Sequence, residues 1–156
     1  MLRTISALLG LTLLLGCEVI SSNNNDNTPD GSTLQLVTDA PHYTPDTVAT
    51  ITITNTSAAT IYYNSCMPTS LEALDGNNLA GTLYFAVCEC LCITELAPEE
   101  SWSMDVQLIE DDHQQDFPGL REDLNYRFRL EFFEDDQLQT LLPDAVLVTN
   151  TFEIRP

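Results

Sequence analysis

Lysine is absent from this 156-residue chain, and five arginines stand against 24 acids, a formal charge of −19. So negative a chain repels nucleic-acid phosphates and anionic lipid headgroups, and it destabilises its own compact state by self-repulsion. Salt relieves that repulsion, because the screening length falls from about 10 Å at 0.1 M to about 3 Å at 1 M. The composition fits a protein suited to high salt, or an acidic envelope protein. Also missing is any stretch with a sustained helical period, which argues against a helix bundle. Gly-x-Ser-x-Gly, His-Glu-x-x-His and a glycine-rich phosphate loop do not occur, so three common enzyme signatures are gone. His42 sits in a proline-flanked turn and His113 between Glu110 and Asp116, neither with a nucleophile at a recognisable spacing. Nothing calls for a cofactor. Apolar residues nevertheless make up 44% of the chain, close to the globular norm of about 45–50%. The acidity therefore belongs to a surface.

The longest apolar run, Ile5 to Leu15, follows Arg3. It is too short for a membrane span, which needs about 20 apolar residues, and has the layout of an export signal. Leu14-Leu15-Gly16-Cys17 resembles the lipobox of bacterial lipoproteins. The resemblance implies cleavage after Gly16, diacylglycerol on the Cys17 thiol and acylation of the new amine. Two or more chains would anchor the protein stably to a membrane. Loss of Arg3 would take the formal charge from −19 to −20. The expected organisation is a removed signal over 1–16, a lipidated cysteine and disordered linker over 17–32, and one domain over 33–156. The linker, rich in Ser, Asn, Asp and Thr, has almost nothing to bury. As a coil it would span roughly 20 Å, which lifts the acidic domain clear of the headgroups. The expected location is the extracytoplasmic side of a bacterial membrane, inner or outer.

From Thr33 onward, short alternating runs replace the polar segment. Ala49, Ile51 and Ile53 alternate with Thr50, Thr52 and Thr54; Trp102, Met104, Val106 and Leu108 alternate with polar neighbours; Tyr126, Phe128, Leu130 and Phe132 do the same. Leu34 to Val37, Ile61 to Asn64, Leu83 to Val87, and Val146 to Ile154 add further β signals. Turn residues separate them, among them Pro45-Asp46, Asp75-Gly76-Asn77-Asn78, Pro98-Glu99, Pro118-Gly119 and Pro143-Asp144. The pattern predicts an all-β fold, a single sandwich of about seven to eight antiparallel strands behind a flexible tether. Trp102, Tyr126 and Phe128 are its candidate core aromatics.

The order of these segments carries a family resemblance. Tyr43-Thr44-Pro45-Asp46-Thr47-Val48, Ile51 to Ser57, Ile61 to Cys66, Leu71 to Gly76, Leu96 to Ser101, and Pro118-Gly119 before Tyr126-Arg127 resemble the immunoglobulin-like domains of bacterial lipoproteins. The family usually has Pro-Gly where this chain has Pro45-Asp46 and Pro98-Glu99, and Tyr-Arg almost directly after the later Pro-Gly, where six residues intervene here. Tyr126 is the candidate for the tyrosine corner of such sandwiches. A weaker resemblance is to the small β-sandwich inhibitors of bacterial intracellular proteinases. Neither implies a catalytic set.

Cys66, Cys88, Cys90 and Cys92 remain beside Cys17. An even number in an exported chain suggests two disulfides. Thiols two apart on a strand are separated by about 6.6–7 Å, whereas a disulfide wants Cβ atoms about 3.5–4.5 Å apart. Two bridges therefore require a turn within 88–92, most comfortably with Cys88 joined to Cys92 and Cys90 to Cys66. An extended segment would leave one bridge to Cys66 and two free thiols. The alternative is a thiolate zinc or copper(I) site of the same four cysteines.

The acid runs Glu110 to Asp112 and Glu134 to Asp136 supply oxygens suited to calcium but lack a dedicated loop spacing. Arg127 and Arg129 share the outward face of a strand and are expected to meet acids across the sheet. Together these observations lead us to expect a non-enzymatic binding or assembly module. Its partners would be the membrane, through the lipid, and another envelope protein, with no nucleic acid and an open oligomeric state. Its candidate surfaces are the loops around Cys66 to Asn78 and Glu110 to Gly119. The alternatives are a proteinase inhibitor of β-sandwich type and a thiol-based metal or redox protein.

Overall fold

The structure is a computed structural model that describes residues 33–66, 69–85, 92–109 and 117–155. The export signal, Cys17, the linker, Cys88, Cys90, His113 and the acids 110–112 lie outside the described residues. Within them the chain is all-β, built of two sheets and a ribbon.

The first sheet has the order β1-β3-β8, from β1 (Leu34–Thr38), β3 (Val48–Asn55) and β8 (Ser101–Gln107). Its central strand shows why the sequence folds this way. Ala49, Ile51, Ile53 and Asn55 are fully buried, whereas the intervening threonines face outward. The outward side chains pair across the strands: Thr50 Oγ1 donates to Asp105 Oδ1 at 2.8 Å, and the Thr52–Ser103 and Thr54–Ser101 hydroxyls lie 3.0 and 2.8 Å apart. Cross-strand pairs of this kind each add a few tenths of a kcal/mol, roughly, and pin the register.

The second sheet has the order β2-β10-β9-β5-β6, from β2 (His42–Tyr43), β10 (Phe152–Ile154), β9 (Asn125–Arg129), β5 (Ser70–Asp75) and β6 (Asn78–Tyr84). All pairings are antiparallel except β2 with β10, which run parallel. Counting β1, β3 and β8 as strands A, B and E, and β10, β9, β5 and β6 as G, F, C and C′, the order is that of an immunoglobulin sandwich. β2 is added beside strand G. A two-stranded ribbon of β4 (Ile61–Asn64) and β7 (Ile93–Leu96) completes the set, with Tyr62 also bridged to Phe133.

The core fills the space between the sheets. Leu34, Ile51 and Ile53 meet Leu71, Tyr126, Phe128 and Phe152, all at most 1% exposed. Phe152 stands edge-on to Tyr43 at 5.0 Å between ring centroids and lies 5.3 Å from Phe128.

Two departures from the sequence pattern have physical causes. Ser70–Asp75 is buried on both faces and so shows no alternation in sequence; it is a central strand, and much of the Cys66–Asn78 surface is therefore not loop. Val146 and Val148 do not form a strand of their own. Pro143, with φ −57°, opens a single 3₁₀ turn over Asp144–Val146, and Val148 makes only an isolated bridge to Arg129.

Candidate functional site

The most charged cluster of the described fold lies on the outward face of the second sheet. The β5–β9 register sets Glu72 opposite Arg127, with Arg129 two residues along. Glu72 Oε2 accepts from Arg127 Nε and Oε1 from Arg129 Nε, each at 2.6 Å, and Arg129 Nη1 reaches Asp144 Oδ1 at 3.2 Å. The Glu72 side chain is only 7% exposed against 30% and 29% for the arginines, so the two guanidinium groups roof the carboxylate. Burial pulls the Arg129 guanidinium down. The Glu72 hydrogen bond and charge, with those of Asp144, more than offset this and hold it above its usual value. The expected pairing of Arg127 and Arg129 with acids is therefore made to a buried carboxylate, a different energetic class from an exposed pair.

A second cluster closes the ribbon. Asn64 Oδ1 accepts from the backbone N–H of Cys66 at 3.0 Å and of Cys92 at 3.3 Å, while Ser65 N–H donates to Cys92 O at 2.8 Å. Cys66 and Cys92 are both disulfide-bonded, so neither offers a titrating thiol. Among the described residues no group of three or more His, Cys, Asp or Glu is placed to hold a metal ion.

The core aromatics divide. Tyr126 and Phe128 are fully buried, whereas Trp102 is half-buried on the outermost strand of its sheet. Trp102 stacks on Tyr63 at 5.3 Å and 16°, and its indole N–H has no hydrogen-bond partner among the described residues. The Tyr126 hydroxyl donates to Gly119 O at 3.0 Å and accepts from Arg121 N–H at 2.6 Å. That is the tyrosine-corner bond, made across the longer turn.

Other polar side chains serve the frame. Asp39 Oδ1 accepts from the Tyr43 hydroxyl at 2.5 Å and from Thr50 N–H at 2.9 Å, fixing the crossover from β1 to β2. Asn55 is completely buried: its amide nitrogen donates to Ala59 O and Leu96 O, and its oxygen accepts from Ser57 N–H and Oγ. In the 134–136 acid run, Asp135 accepts from the N–H groups of Gln137, Gln139 and Thr140 at 2.7–3.1 Å. Its carboxylate caps its own loop. Those hydrogen bonds, with Thr140's first, hold it below the ordinary carboxylate value. His42 is an exposed residue of β2, paired in register with Glu153.

Sequence reasoning missed Glu72, Asn64 and Asn55. The available signal for Glu72 was an acid set between Leu71 and Ala73 in an apolar run, with two outward arginines elsewhere to receive it. Nothing local distinguishes Asn55 or Asn64 from turn residues.

No protein-family model matches the chain, and no curated protein sequence matches it. Among solved structures it resembles an alkylpurine DNA glycosylase, AlkC of Pseudomonas fluorescens, bound to DNA containing an abasic site analog, with 9% identity and a TM-score of 0.43. The match covers 83% of this chain and 32% of that one, so the chain spans about a third of the glycosylase. It also resembles the reeler domain of human F-spondin, at 13% identity and a TM-score of 0.37, over 80% of this chain and 89% of that one.

Proposed function

We propose that the chain is a lipid-anchored, extracytoplasmic, non-enzymatic module that binds or assembles with another envelope protein, on a domain of the lipoprotein immunoglobulin-like kind. The observation that carries this is the order along the chain: Leu14-Leu15-Gly16-Cys17, then a polar linker, then an acidic sandwich. The described clusters support the reading because their polar atoms are spent on the frame. Glu72, Asp39, Asp135 and Asn55 each bond within the chain, in arrangements that hold strands and turns. The cysteines act as a staple of the ribbon's end, where Cys66 and Cys92 are each disulfide-bonded.

Two measurements test this. Fatty-acid labelling should mark the chain, place it in the membrane fraction, and fail on Cys17→Ala; labelling that survives the substitution refutes the anchor. Peptide mapping without reductant should find no free thiol among Cys66, Cys88, Cys90 and Cys92. Free thiols or co-purified zinc or copper would move the function to thiol chemistry.

A further inference from the structure

We draw no further inference here: the strongest candidate, the outward face of the β1-β3-β8 sheet where Thr50, Thr52 and Thr54 pair with Asp105, Ser103 and Ser101, is an unpartnered sheet face, and nothing in the structure shows what covers it.

Discussion

Glu72→Ala removes the carboxylate that two guanidinium groups share, stranding Arg127 and leaving Arg129 only the exposed Asp144. Removing one partner of a fully buried pair costs about 3–5 kcal/mol, chiefly because the other charge is left uncompensated. Here the two arginines are 30% and 29% exposed, so water recovers part of their solvation, and Arg129 keeps Asp144. The expected loss is then about 2–3 kcal/mol, roughly a 10 °C fall in Tm for a domain of this size. Urea unfolding measures it, with m unchanged if the native state keeps its compactness. In combination with Arg127→Ala the two losses should fall short of additivity by about 1–2 kcal/mol, because the second change removes one of the stranded charges. Arg155→Ala, which breaks an ion pair more than 40% exposed on both sides, serves as the control and should cost no more than about 1 kcal/mol. A Glu72→Ala loss below about 0.5 kcal/mol, or strict additivity with Arg127→Ala, would show that the cluster contributes nothing through charge.

Asn55→Ala removes the buried amide that bonds the Ala59 and Leu96 carbonyls and the Ser57 N–H, and should cost about 2–3 kcal/mol in the same assay. Tyr126→Phe should cost about 1–2 kcal/mol and speed hydrogen exchange at the Arg121 amide, which loses its acceptor. Glu99 holds φ +62° directly after Pro98, with Glu100 N–H bonded to Ala97 O at 3.1 Å. That is a turn position glycine prefers, so Glu99→Gly should leave Tm unchanged or raise it by a few degrees, and a fall would refute the strain. In pH, burial raises Asp39, but bonds from Tyr43 and Thr50 more than offset it and leave its pKa below 3.8. Its contribution is full above that range and is lost as pH falls through the lowered value. Tyr43, raised by burial and then by Asp39 from 10.0 to about 12, contributes fully below 10 and loses its contribution as pH rises toward 12. Phenolate absorbance should show a late step that Tyr43→Phe removes.

The frame was legible wherever a strand has one wet face. The Ile51–Ile53 and Tyr126–Phe128 stripes alternate because water lies on one side of them, and the sandwich follows from that. Ser70–Asp75 was hidden for the opposite reason: two arginines donated from another strand dry its outer face, and no local pattern encodes a neighbour 55 residues away. The turns show a subtler case. Asp46 and Glu99, each directly after a proline, adopt φ of +65° and +62°, a geometry that glycine supplies most readily and that neither residue type announces. The charge cluster was half legible, since the outward arginines could be placed but the depth of Glu72 could not.

The parallel pairing of β2 with β10 has a mechanical consequence. The two strands lie near opposite ends of the chain and run the same way, with Glu153 N–H on Pro41 O at 3.0 Å and Arg155 N–H on Tyr43 O at 2.8 Å. A load drawn between those ends pulls them in opposite directions along a shared axis once it passes β1. Their hydrogen bonds are then sheared together and do not unzip one by one. A domain tethered at its head and tugged at its tail would resist extension at this patch, short as it is, before the sandwich behind it opens.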